Sequence, residues 1–552
     1  MNNLIIFLII IPFAASFLVL LDGYLLGLNR SATIAFVAIC ICLILLAIFS
    51  LLILQGKVIN YPVGGWKEPV GINIYMDGLA WIASLIGTLI TLLVLIFSIG
   101  ERKYDYKFYF LFLVLLGGME GIILTGDIFN MFVFFEIVSV ASYILIAYPK
   151  KERSIMASFN YLLISSLGMG FFLLGIALLY QQTGILSLRE IAQARDGVNV
   201  NSTLFILTIT SLTAGIGVKA AFIPLHTWLP NAHAFAPHPV SAILSGVIIK
   251  VSFLAIWRIL RLLDIFYLQH VFIWIGAVTA FLAVILAIAQ SDCKKLLAYS
   301  SISQMGFIIA SFGVATSFSL TASLYHILNH SIFKSLLFLS VGAVIYATGK
   351  REVNDLAGLG KKIPFAKIGF LIGALSICGI PPFNGYASKT LIFSSLKAYP
   401  FARLLIFLAS VGTVTSFIKL SRVFRGRGKS FSSRKENRKK VPHEMLIPLA
   451  VLSTLCVITG IWPHLTTKVI SRLLFRENLK YSLSFYSPSK LGSSALAPGS
   501  GLLLYLFIKS SGGEKTLYLI RKLRISLNNS LLLVIVGFIL MVIVSLMIKN
   551  LP

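Results

Sequence analysis

Five ionisable residues stand in the middle of apolar stretches. Glu136 lies in FNMFVFFEIVSVASYILIAY, Lys219 in LTAGIGVKAAFIPLHTWLP and Lys250 in SAILSGVIIKVSFLAIW. Lys334 lies in YHILNHSIFKSLLFLSVGAVI and Lys389 in ICGIPPFNGYASKTLIFSSL. A charge placed at a bilayer centre costs roughly 2.5–3.5 kcal/mol on insertion scales, so it persists only with a partner, with water or with a role. One Glu cannot neutralise four Lys, so some of these lysines must be uncharged or solvated by internal water. A desolvated lysine exchanges its proton more readily than an exposed one, and a row of such groups is what a proton path requires. His326, His330 and Lys334 follow at i, i+4 and i+8, which puts them on one helix face. Histidine titrates near physiological pH, so this stripe reads as a relay ending in lysine. A structural hydrogen-bonding stripe is one rival. A metal chelate through the two histidines is another, but no Asp, Glu or Cys nearby completes a ligand set.

Two of the segments carrying these lysines are interrupted. Pro224 follows Lys219 by five residues, and a polar run from His226 to His238 holds Pro230 and Pro237. Gly379, Pro381, Pro382, Asn384 and Gly385 precede Lys389. Proline in a helix interior removes a hydrogen bond and kinks the chain. Inside a membrane such breaks are tolerated where they are buried or line a wet cavity. Breaks at matching places in two halves suggest an internal repeat around a transport site; an ordinary proline kink is the rival, and the mid-membrane lysine beside each break favours the functional reading.

The elements that position these residues must be membrane helices. Of 552 residues, 58% are hydrophobic and only 12% charged, against about 25% charged in a soluble chain. Five cysteines exclude a disulfide scaffold, and 41 Phe with 20 Tyr exclude a disordered chain. A span needs about 20 apolar residues. Such runs lie near 3–21, 31–54, 76–99, 107–125, 128–148, 155–180, 203–226, 239–262, 267–290, 295–315, 319–347, 364–397, 400–420 and 444–463, with one more at 529–548. A weaker candidate at 491–508 is left open because it holds Pro498, Gly499 and Gly501. The expectation is an all-α polytopic membrane protein with about fourteen core helices, two of them broken, and one or two C-terminal helices.

The formal net charge of +28 would suggest nucleic acid in a soluble protein. Here the cations sit in short loops between spans and report topology instead. The odd-numbered loops carry clusters such as Arg102, Lys103 and Lys107; Lys150, Lys151 and Arg153; and Lys294 with Lys295. This predicts odd loops in the cytoplasm and the N-terminus outside, in the cell membrane of a prokaryote. The chain opens Met1, Asn2, Asn3, with no basic stretch ahead of the first run, so that run is expected to be a retained helix. Nine cations between Arg422 and Lys440 read as a solvated loop near anionic lipid, or as a docking surface for an acidic partner. Residues 512–527 suit a short amphipathic helix on the membrane surface, or a connector to a neighbouring subunit.

With these residues in place, the chain resembles the antiporter-like subunit family. That family includes the L, M and N subunits of respiratory complex I, the large Mrp antiporter subunits and membrane subunits of energy-converting hydrogenases. The likeness covers roughly residues 70–420. LTGDIFNMFVFFE at 124–136 and GIPPFNGYASK at 379–389 most resemble the Mrp D-type and archaeal hydrogenase-type members. The resemblance implies that Glu136 is the fifth-helix glutamate and Lys219 its partner on the broken seventh helix. It makes Lys250 the eighth-helix lysine, His326/His330/Lys334 the eleventh-helix stripe and Lys389 the lysine of the broken twelfth helix. Glu120 departs from the pattern, as an extra pairing partner or a group near the membrane edge. The implied units are N-terminal helices over 1–106, repeats over 107–262 and 263–420, a basic loop and fourteenth helix over 421–463, and an extension over 464–552.

The implied function is proton translocation within a multisubunit complex, either redox-driven or an Mrp-type Na+/H+ antiporter. Partners would be other membrane subunits, further antiporter-like subunits among them, and lipid; a redox-driven assembly would add iron–sulfur subunits. No cofactor is expected in this chain. Cys40, Cys42, Cys293, Cys378 and Cys456 are scattered without cluster spacing, and no G-x-G-x-x-G loop is present. The alternative is a stand-alone transporter of a small solute.

Overall fold

The computed structural model describes residues 2–28, 30–193, 199, 202–263, 269–356, 363–424, 439–475, 484–522 and 526–549. The chain begins with α1 (Phe7–Leu21) and α2 (Ser31–Ile53), then a hairpin of β1 (Ile59–Pro62) and β2 (Asn73–Met76). Next come α3 (Gly78–Glu101), α4 (Tyr106–Leu124), α5 (Ile128–Ala147), α6 (Glu152–Thr183) and the short α7 (Leu188–Gln193). The first broken span follows as α8 (Thr203–Ala220) and α9 (Leu229–Phe235). Then α10 (His238–Ile243) passes through a π-turn at Leu244–Ile248 into α11 (Ile249–Leu263). Further on are α12 (Gln269–Ala289), α13 (Cys293–Phe312) and α14 (Ser317–Thr348). The second broken span is α15 (Pro364–Cys378) and α16 (Asn384–Ser395), followed by α17 (Pro400–Ser421) and α18 (His443–Ile461). The extension holds α19 (Pro463–Phe475), α20 (Pro488–Ile508), α21 (Ser511–Lys522) and α22 (Leu527–Lys549).

The chain is thus an all-α polytopic membrane protein, with fourteen helices among the described residues long and apolar enough to span. The small antiparallel hairpin, pairing Ile59 with Met76 and Asn60 with Tyr75, has no counterpart in the sequence expectation. Each of the fourteen predicted core spans is helical. α13 is less apolar than the fourteen span-length helices, yet nearly every residue on it is buried by other helices, so protein and not lipid solvates its seryl side chains. The scarce aspartates do local work: Asp77, Asp105, Asp127 and Asp292 cap α3, α4, α5 and α13. An anion there satisfies free N–H groups and meets the positive helix end.

α14 runs through the centre, packed against α10, α13, α15, α16, α18 and α19. The open candidate at 491–508 is a helix, α20, seated on α17, where Thr415 Oγ1 donates to Gly501 O at 2.9 Å. The amphipathic segment forms α21. It docks on the end of α12 by burying Leu517 and by Arg521 Nε donating to Ala289 O at 2.6 Å. Leu517 and Ile520 thus pack on this chain, while Tyr518 and Leu519 of the same helix stay exposed. α22 returns against α6 and α8, stacking Phe538 on Phe171 at 4.3 Å and setting Gly537 against Pro224. Most of the nine-cation loop, 425–438, lies outside the described residues.

Candidate proton path

The first break places Lys219. α8 ends when Ala221 turns left-handed at φ 56°, and Pro224 lies in the turn beyond. Lys219 therefore sits in the last helical turn, where the negative end of the helix dipole favours a cation. Its Nζ donates to Ser139 on α5 and Ser165 on α6. It also stands 5.7 and 5.5 Å from the ring centroids of Tyr143 and Tyr161, within cation–π range. Two hydroxyls and two π faces thus solvate the ammonium. Glu136, half-buried on α5, is not ion-paired with it among the described residues, although it lies within Coulombic reach. Ser139 follows Glu136 by three residues, so α5 offers Lys219 a carboxylate and a hydroxyl about 4.5 Å apart along the helix axis.

Lys250 lies just past the π-turn, and its Nζ donates to Ser245 O inside that turn. A π-turn interrupts the regular hydrogen-bond ladder, which is where a side chain can claim a carbonyl. Ser245 Oγ meets Ser301 Oγ on α13 at 2.7 Å. No direct hydrogen bond joins Lys219 to Lys250, or Lys250 to the histidines, among the described residues; Lys250 is within Coulombic reach of both His326 and His330.

The stripe on α14 is fully enclosed: His326, His330 and Lys334 are each 0% exposed. The two imidazoles lie parallel within 5°, with centroids 6.1 Å apart. His326 bonds Ser388 through Nδ1 at 2.9 Å and the amide oxygen of Gln304 through Nε2 at 3.1 Å. Neither ring nitrogen of His330 has a hydrogen-bond partner among the described residues. Lys334 Nζ donates to Leu297 O at 2.9 Å and to Ser300 Oγ at 2.5 Å. Among the described residues no three His, Cys, Asp or Glu side chains gather as a metal set.

The second break places Lys389. α15 ends at Cys378, Gly379 turns left-handed at φ 74°, and the chain re-enters a helix at Asn384. Lys389 Nζ reaches back to Ile377 O at 2.7 Å, a carbonyl the break leaves free. Its neighbour Ser388 is the partner of His326, so α16 links the stripe to this lysine.

Several participants carried no sequence signal. Ser139, Ser165, Ser300 and Ser388 are ordinary hydroxyls in spans until a lysine or histidine arrives from another helix. Lys294, counted above as a loop cation, is buried; its Nζ donates to Ala236 O at 2.6 Å while Arg351 takes the pairing with Asp292. His233 is buried, with both nitrogens unpartnered among the described residues. Glu120 is 1% exposed, accepts from Thr88 Oγ1 at 2.9 Å and has no cationic partner among the described residues. It is therefore no pairing partner for the lysines in this conformation.

A family model described as "NADH:quinone oxidoreductase/Mrp antiporter, TM" matches residues 125–418, the stretch holding both breaks and every residue above from Glu136 to Lys389. The chain belongs to this family. It is 34% identical over 439 residues to NADH-quinone oxidoreductase subunit N of Desulforudis audaxviator, covering 74% of this chain and 86% of that one. It is 30% identical over 469 residues to a Na(+)/H(+) antiporter subunit of Alkalihalophilus pseudofirmus, covering 83% and 94%. Among solved structures, a chain of the archaeal membrane-bound sulfane sulfur reductase superposes with a TM-score of 0.79 at 28% identity, covering 90% of this chain and 99% of that one. A chain of the Mrp complex from Dietzia sp. DQ12-45-1b gives the same TM-score and coverage at 22% identity, which speaks for the fold. The protein is thus an antiporter-like, multi-pass membrane subunit, and that reading prevails over a stand-alone solute transporter.

Proposed function

We propose that this chain carries protons across the cell membrane through Glu136, Lys219, Lys250, His326, His330, Lys334 and Lys389, as one subunit of a larger complex. The observation that supports it is the row of four enclosed lysines, each held by hydroxyls or main-chain carbonyls with no carboxylate ion pair among the described residues, beside two enclosed histidines. Groups held in this way can change protonation without breaking a buried salt bridge, whose rupture costs about 3–5 kcal/mol. In the proposed cycle Lys219 alternates between Glu136 and the Ser139/Ser165 pair. Leaving Glu136, it passes its proton toward Lys250 and the α14 stripe, and Lys389 releases it to the outside. Repeats over 107–262 and 263–420 would each contribute one broken helix. The N-terminus is proposed to face outward, from the cationic odd loops.

Partners set the driving force. Relatives occur in redox complexes and in Na(+)/H(+) antiporters. Gentle purification with mass spectrometry of every co-purifying chain separates the two: iron–sulfur subunits mean an electron-driven pump, and only small membrane subunits mean an antiporter. The translocation role itself is tested by Lys219→Ala in the intact complex. Proton uptake should be lost, and uptake at the unmodified rate refutes the path.

A further inference from the structure

Beside the second break lies a cavity of about 480 Å³ between α16, α17 and α20. Lys389, Arg403 and Lys490 line it, and no carboxylate does among the described residues. Phe393, Leu404 and Phe407 supply an apolar wall, with seryl and threonyl hydroxyls between. Lys490 Nζ is buried yet has no hydrogen-bond partner, and no ion pair reaches Arg403 among the described residues. Lys389 has the Ile377 carbonyl and the face of Phe307, 4.7 Å away, but no carboxylate partner among the described residues. Cations gathered without anions in a half-apolar cleft repel one another unless an anion joins them. The occupant that matches both halves of the wall is amphiphilic and negative.

We propose that this cavity holds an anionic phospholipid, its phosphate between Lys490 and Arg403 and an acyl chain along Phe393, Leu404 and Phe407. The volume falls in the range of about 300–1,000 Å³ typical of ligand sites. Membrane lipid is the source that the setting supplies, because α20 is the outermost wall and its Leu502, Leu503 and Phe507 are exposed. The cleft also reaches Lys389, so an anion held by Lys490 and Arg403 would lie in the same cavity as the last proposed proton station.

The test uses the intact complex in nanodiscs of equal phosphatidylglycerol and phosphatidylcholine, with retained lipid counted by native mass spectrometry. Phosphatidylglycerol should be retained in preference to phosphatidylcholine. Each cation near an anionic headgroup is worth about fivefold, so Lys490→Gln with Arg403→Gln should lower retention more than tenfold. Ala497→Trp fills the cleft while leaving the charges, and should also expel the lipid; it decides the question if the double variant fails to assemble. Equal retention of the two lipids overturns the proposal, as does unchanged phosphatidylglycerol in the variants. So does displacement by millimolar inorganic phosphate, or a cross-link from Leu496→Cys to another subunit across the cleft.

Discussion

Replacing Ser139 and Ser165 with alanine probes the proposed switch more sharply than removing a charge. Both hydroxyls accept from the Lys219 ammonium, and no hydrogen bond joins either to Glu136 among the described residues. A hydrogen bond to a charged group contributes about 1.5–3 kcal/mol. Each single change therefore weakens the released position of Lys219 by that amount relative to the Glu136-paired one, a shift of tenfold or more at about 1.4 kcal/mol per decade. Together they remove roughly 3–6 kcal/mol, offset in part by the Tyr143 and Tyr161 faces that remain. The lysine then dwells on the carboxylate, and translocation slows in proportion wherever release limits the cycle. The assay is dye-reported proton uptake into proteoliposomes holding the intact complex, compared at equal assembly. Ser139→Ala should slow uptake about tenfold, Ser139→Thr should restore most of it, and the double variant should be near background. In a Glu136→Gln background the serine changes should add little, because the competing position is gone; that non-additivity is the signature of one shared lysine. Uptake by the double alanine variant at the unmodified rate would refute the reasoning.

Three further outcomes follow from packing and topology. A Cβ on Gly385 would lie 1.8 Å from Ser376 O, so Gly385→Ala must push α16 off α15; overpacking of at least about 1–3 kcal/mol should lower the melting temperature of the complex and its yield. Asp292 both caps α13 and pairs with Arg351 at 2.7 Å. Asp292→Asn keeps the cap and should cost less than about 1 kcal/mol, whereas Asp292→Ala loses both and should cost about 1–2 kcal/mol, read as a difference in thermal midpoint. For orientation, cysteine at exposed position Lys67 should react with an impermeant maleimide from outside right-side-out vesicles, and cysteine at exposed Lys151 only after lysis; the reverse pattern would invert the topology.

Much of this architecture was legible because a bilayer leaves few choices. Apolar runs of about twenty residues gave the order of the fourteen spans, and Pro224, Pro381 and Pro382 beside mid-span lysines pointed to both interruptions, with a plain kink as the rival. The π-turn before Lys250 was not legible, since nothing in LSGVI distinguishes an i→i+5 turn from a regular one. The β1–β2 hairpin hid in the polar stretch between two strong spans. The tail was ambiguous for a different reason. α20 carries Pro498 and three glycines, which weaken any helix signal, and only its contact with α17 shows why Gly501 must be small.

The lysines show where sequence reading stops. Their positions are plain, but the groups that make them tolerable are mostly main-chain oxygens, three on other helices and one in the π-turn of the same span: Ile377 for Lys389, Leu297 for Lys334, Ala236 for Lys294, and Ser245 for Lys250. Three of these carbonyls are offered where a helix is irregular or ends, at the α15 terminus, in the π-turn and at the end of α9. Such oxygens carry partial negative charge and stay fixed in place. They can steady an ammonium without becoming protonated themselves, which a carboxylate cannot promise. A membrane protein that must hold a proton at several stations, and release it from each, gains more from broken helices than from added glutamates. On the proposed path, that is a physical reason for the breaks and the lysines to coincide, and for the half-buried Glu136 to be its one carboxylate.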